Sequence, residues 1–135
     1  MTISKLPEHI AVTPTVTVLL PADVTAPAIA RHAVRDTLLR RGCEELDDLL
    51  LATSELVTNA VEHGERPERL ELDYADGRLT LRVFDTGTTL PELRVPAPAL
   101  ARSRGLQLVR ALAEDWGFRR YDGGKYVWAT FLLPG

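Results

Sequence analysis

Three short polar constellations stand out in this chain of 135 residues. On a stretch with helical periodicity, Glu55 and Asn59 are one turn apart and His63 is another turn on, so all three share an edge while Leu56, Val57 and Ala60 face inward. A carboxylate on such an edge can orient a water or take a proton from a hydroxyl, and an Asn amide oxygen can ligate Mg2+ alongside phosphate oxygens and waters. Asp85 stands where a strand pattern gives way to a loop, two residues before Gly87, whose lack of a side chain lets backbone approach a flat ligand. A buried carboxylate there can accept a hydrogen bond from an exocyclic amine such as N6 of adenine. Ser103-Arg104-Gly105-Leu106 leads straight into a helical pattern, so unpaired N–H groups and the positive helix end would face a phosphate placed there. Taken singly, each has a plainer account: a solvated helix edge, an Asp-x-Gly turn, and capping by Ser103.

The elements that must position these groups follow from hydrophobic period and breakers. Alternation over residues 15–20 predicts a strand. After a breaker-rich loop over 21–27, Ile29, Val34, Leu38 and Leu39 predict a helix with Arg40 and Arg41 in its last turn and Gly42 at C′. A longer helix is predicted from 44 to 63, closed by Gly64, and it carries the Glu55 edge. Strands over 69–75 and 78–84 flank Asp76-Gly77, a hairpin turn signal, because Gly accepts positive φ and Asp tolerates it. Residues 85–102, with Gly87, Pro91, Pro96 and Pro98, show no period, and a loop that long in a compact domain is usually functional. A helical stripe then runs over 104–116, and two last strands, 117–121 and 126–133, flank Asp122-Gly123-Gly124. Trp116 and Trp128 lie within apolar patterns and are read as packing residues, with Val127 and Ala129 pointing away from Trp128.

Strands joined by tight turns must pair antiparallel, which excludes a doubly wound parallel sheet. The fold class is therefore α/β (α+β), a two-layer sandwich in which a mostly antiparallel sheet of about five strands carries three helices on one face. Residues 1–14 are read as an N-terminal extension and 15–135 as the domain.

Composition bounds the rest. A chain that is 45% apolar and 26% charged is one domain able to hold a core without a disulfide or zinc, and its single cysteine, Cys43, suits a reducing cytoplasm. A net charge of -3 argues against a globally basic nucleic-acid binder. No apolar run approaches the roughly 20 residues that span a bilayer, and Glu8 and His9 precede any apolar run, unlike a signal peptide, so the expectation is a cytoplasmic protein that binds neither nucleic acid nor membrane.

The order and separation of the motifs match a family. Glu55-Leu56-Val57-Thr58-Asn59-Ala60-Val61-Glu62-His63-Gly64 resembles the N-box of the GHKL ATPase/kinase superfamily, which holds gyrase B, Hsp90, histidine kinases and MutL. Asp85-Thr86-Gly87 resembles its D-x-G box, and Ser103-Arg104-Gly105-Leu106-Gln107-Leu108-Val109 its glycine box, with Ser103 where the family usually has glycine. The closing runs Ala113-Glu114-Asp115-Trp116-Gly117 and Gly124-Lys125-Tyr126-Val127-Trp128-Ala129 are similar to small actinobacterial ATP-binding regulators related to anti-sigma-factor serine kinases, with Tyr126 in the usual threonine's place.

The resemblance implies a Bergerat-type ATP-binding fold. It makes Glu55 the general base, Asn59 the Mg2+ ligand, Asp85 the reader of the adenine amine and Gly87 the seat of the base. Gly105 and Leu106 would offer N–H groups to the phosphates, with Arg104 as a charge partner, and His63 would either line the phosphate region or merely end the helix. Its implied activity is that of an anti-sigma-factor serine/threonine protein kinase using Mg2+ and ATP, with a sigma factor or a serine- or threonine-bearing antagonist protein as partner and a homodimer left open. The contrasting reading is a non-catalytic interaction module of the same fold with weak or regulatory nucleotide binding, which Ser103 favours. A two-component histidine kinase is disfavoured for want of an upstream dimerisation and phosphoacceptor helix pair, and a gyrase-like role for want of a transducer domain.

Overall fold

Apolar residues on one face of the strands meet all three helices in the main core, and a smaller aromatic cluster lies on the other face. The computed structural model describes residues 16–44, 46–63, 66–75, 77–86 and 104–132, with only the backbone of His63 and of 104–106. In chain order these form β1 (Val16–Leu19), α1 (Ala26–Arg40), α2 (Asp47–His63), β2 (Pro67–Ala75), β3 (Arg78–Asp85), α3 (Arg104–Leu112), β4 (Asp115–Tyr121) and β5 (Gly124–Leu132). The sheet order is β1-β2-β3-β5-β4, and every neighbouring pair is antiparallel. The two-layer α+β architecture expected from the turn signals is the one observed.

Leu70 and Leu72 of β2, Leu79, Leu81 and Val83 of β3, and Ala129 and Phe131 of β5 meet Val34 and Leu38 of α1, Leu49, Leu56 and Val57 of α2, and Val109 of α3. Each of these is almost completely withdrawn from water, and burial of one such side chain contributes about 1.5–3 kcal/mol. On the opposite face Phe84, Tyr126 and Trp128 form a second cluster with Tyr121 against it, so Trp128 does point away from Val127 and Ala129. Trp116 packs on the helix side, edge-on to Phe118 at 5.6 Å between ring centroids.

Helix α1 ends as its sequence predicts. Gly42 has φ 84°, its N–H donates to the Leu39 carbonyl, and the Cys43 N–H donates to the Leu38 carbonyl, the paired bonds of a Schellman motif. Its start lies earlier than the breaker pattern indicated, at Ala26, because a proline in the first helical turn has no N–H to lose. Helix α2 starts later than expected, at Asp47, where Asp47 and Asp48 favour the positive helix end. The largest correction is at α3, which stops at Leu112 rather than running to Trp116. The Glu114 N–H donates to the Thr130 carbonyl at 2.7 Å, so the edge of β5 captures the chain and β4 begins at Asp115. Trp116 fits a helical stripe and a strand alternation equally well, and the free edge of β5 decided between them.

Candidate functional site

The site is built at the end of β3. Asp85 closes that strand between two partners, Pro67 on β2 and Lys125 on β5. Alternation carries it to the helix side of the sheet, in register with Leu79, Leu81 and Val83. Its side chain is held from two directions. The Arg66 N–H donates to Oδ1 at 3.2 Å, and the Lys125 ammonium lies 3.6 Å from the same oxygen. The Thr86 N–H in turn donates to the Arg66 carbonyl at 3.1 Å, so one backbone position grips both the carboxylate and the turn that follows it. Both side chains of the Asp85–Lys125 pair are 5% exposed.

Gly124 makes this arrangement possible. A β-carbon there would overlap the Asp85 carbonyl oxygen and lie 2.9 Å from Thr86 Cα, so only glycine lets β5 come this close to the end of β3. Gly123, with φ 98°, turns the chain from β4 into that approach.

Helix α2 lies over β3 and β2 and packs along α3. Leu56 and Val57 are buried in the core, while Asn59 keeps 8% exposure and Glu55 is half-buried. Glu55 and Asn59 lie one turn apart on α2 and are withdrawn from open solvent, while Ala60, expected to face inward, is only partly buried. On the far side of α2, Ser54 accepts a hydrogen bond from Arg31 of α1 at 2.6 Å, and the buried Thr53 hydroxyl donates to the Leu49 carbonyl at 2.8 Å. The Arg31–Ser54 bond ties α2 to α1, whereas the Thr53 bond stays within α2.

Of the other residues singled out by sequence, His63 is the last residue of α2, and Arg104, Gly105 and Leu106 open α3, as expected from the capping pattern. Gly87 and Ser103 lie outside the described residues, as does Asp76 of the hairpin turn. Gly124 and Lys125, which meet Asp85 here, were named in the sequence only within the closing motif and without a role. Their signal was the turn Asp122-Gly123-Gly124 followed by a lone lysine in an otherwise apolar strand.

The donor set suits a magnesium nucleotide. Asn59 offers a hard amide oxygen and Asp85 an acceptor for an amine. Among the described residues no three His, Cys, Asp or Glu side chains come together to hold a metal ion by themselves.

A family model for the histidine kinase-like ATPase domain matches residues 20–131. The chain belongs to the histidine kinase-like ATPase domain family. The match takes in every element from α1 to β4 and all of β5 but its last residue, so the family covers the whole helix layer and the Asp85 end of the sheet. Among solved structures, this ATPase-family chain is similar to the RsbU and RsbW domains of Rv1364c from Mycobacterium tuberculosis, at 26% identity and a TM-score of 0.68. The alignment covers 90% of this chain and 32% of that one, so the present chain spans about a third of the solved relative. A comparison with curated proteins gave no match. No helix among the described residues is long and apolar enough to cross a membrane.

Proposed function

We propose that the chain binds Mg-ATP and acts as a regulator of the anti-sigma-factor serine/threonine kinase type, working in the cytoplasm on a sigma factor or on an antagonist protein that bears the acceptor hydroxyl. The observation that carries this reading is the Asp85 carboxylate, held by the Arg66 N–H and the Lys125 ammonium at the end of β3, the strand on which the helix bearing Glu55 and Asn59 packs. Membership of the ATPase family and the likeness to a protein with an RsbW domain support it.

In this reading Asp85 accepts the adenine amine, and Asn59 would hold the Mg2+ ion that accompanies the nucleotide. The metal ion supplies charge neutralisation to the phosphates when bound. The N–H groups at the start of α3 receive phosphate, with Arg104 beside them and His63 at the end of α2. Glu55 takes the proton from a serine or threonine hydroxyl as that oxygen attacks the γ-phosphorus in line and the bond to the β,γ-bridging oxygen breaks.

A thermal-shift series of apo protein against Mg-ATP, Mg-ADP and Mg-GTP tests the binding, since a selective ligand raises Tm by linkage. Selective stabilisation by adenine nucleotides, lost in Asn59→Ala, is the expected result, and no shift with any nucleotide overturns the reading. Transfer of labelled phosphate to a serine-bearing antagonist that vanishes in Glu55→Ala establishes the kinase. Binding without transfer would assign the chain instead to the non-catalytic module that Ser103 in the glycine box favours.

A further inference from the structure

We propose that Lys125 is a base-reading residue, its ammonium donating to N1 of adenine while Asp85 takes the adjacent 6-amino group. This rests on the ATP reading above and extends it to a residue that reading does not use.

An ionised carboxylate only accepts, so by itself it recognises the amine and has nothing to offer N1, the acceptor beside it on the same edge of the base. An adenine edge desolvated against a carboxylate alone would leave N1 unpaired, and an unpaired acceptor costs about 1–3 kcal/mol. Lys125 supplies the missing chemistry. It lies directly opposite Asp85 in the β3–β5 register, on the same face of the sheet, with its side chain 5% exposed. A lysine carries three donors and no acceptor. The distance of 3.6 Å to Asp85 Oδ1 is longer than the 2.7–2.9 Å of a closed ammonium–carboxylate hydrogen bond. The ammonium is thus held near the carboxylate by charge without being closed onto it, and a donor and an acceptor stand side by side.

The placement is rigid for reasons independent of the pair. Gly124 sets the approach of β5 to the end of β3, and the next residue is Lys125. Val127, Ala129 and Phe131 anchor the same face of β5 in the core. A lysine in this frame can move its amine by rotation of its stem but not its backbone, which suits a group that turns from Asp85 toward an incoming base.

The test is calorimetric binding of Mg-ATP and of Mg-1-deaza-ATP, in which a C–H replaces N1, to the wild-type full chain and to Lys125→Met and Lys125→Gln. Wild type should bind the deaza analogue at least about tenfold more weakly than ATP, the loss expected for one hydrogen bond to a charged donor. Lys125→Met should bind the two nucleotides with equal affinity, and Lys125→Gln should fall between. Wild type binding both within twofold overturns the inference while leaving ATP binding intact, as does a Lys125→Met protein that still discriminates tenfold. If Lys125→Met does not fold, the wild-type pair and Lys125→Gln still decide. Wild type that binds neither nucleotide overturns the ATP reading, and this inference with it.

Discussion

Gly124 lies so close to Asp85 that a β-carbon at position 124 would occupy the space of the Asp85 carbonyl oxygen. The obstacle is backbone on both sides, so no side chain can swing away to relieve it. The strand that brings Lys125 to the site therefore depends on this one missing methyl group.

Gly124→Ala should accordingly force β5 away from the end of β3. Forced overpacking costs about 1–3 kcal/mol, which for a domain of this size is a fall in Tm of about 3–10 °C. Differential scanning calorimetry measures the fall. The same variant should lose nucleotide affinity out of proportion to it, whereas a side-chain truncation in the core, Leu38→Ala, should lower Tm with little change in affinity at a temperature where both are folded.

The Asp85–Lys125 pair is buried on both sides, so removing one partner strands the other charge. Breaking such a pair costs about 3–5 kcal/mol, and Asp85→Asn and Lys125→Met should each lower Tm by about 10 °C or more. The double variant should be more stable than the sum of the two losses predicts, because it leaves no charge behind. A strictly additive double-mutant cycle in chemical denaturation would show that the two side chains do not interact.

On the sheet face away from the helices, Arg82 is completely buried, and its Nη1 and Nη2 have no hydrogen-bond partner among the described residues. Its Nε donates to Glu71 at 3.4 Å, but Glu71 also accepts from Arg69 Nε at 3.0 Å. Arg82→Met therefore removes an under-satisfied buried charge without orphaning the carboxylate, and such replacements are often neutral or stabilising. Tm of Arg82→Met should equal or exceed that of wild type, and a loss of several degrees would contradict this account.

Burial pushes the Tyr126 phenol above its ordinary value of 10.0, although the nearby Arg119 and Arg82 guanidinium groups pull it part of the way back. The folded state thus favours the neutral phenol more than the unfolded state does. Its contribution to stability is complete below pH 10 and is lost as the pH rises through the folded-state value. The hydroxyl has no partner among the described residues, so Tyr126→Phe should leave Tm unchanged at pH 7. Between pH 9 and 11 the wild type should lose Tm faster than Tyr126→Phe, and parallel curves would overturn the assignment.

Much of this was legible in the order of the residues. The 3.6-residue period placed Glu55 and Asn59 on one edge of α2, the Gly42 cap ended α1, and tight turns before β3 and β5 required an antiparallel sheet, because these are local properties of a few neighbouring residues. The element boundaries near Trp116 and the partner of Asp85 were not local. The first depended on the free edge of β5 capturing Glu114, and the second on two strands forty residues apart in register. A lone lysine in an apolar strand and a second glycine in a turn say little until pairing sets them against a particular carboxylate. Sequence determined which residues could do chemistry and which elements carry them. Tertiary structure alone decided that Lys125 and Gly124 meet Asp85, because strand register is settled by the packing of a whole sheet and not by any one of its strands.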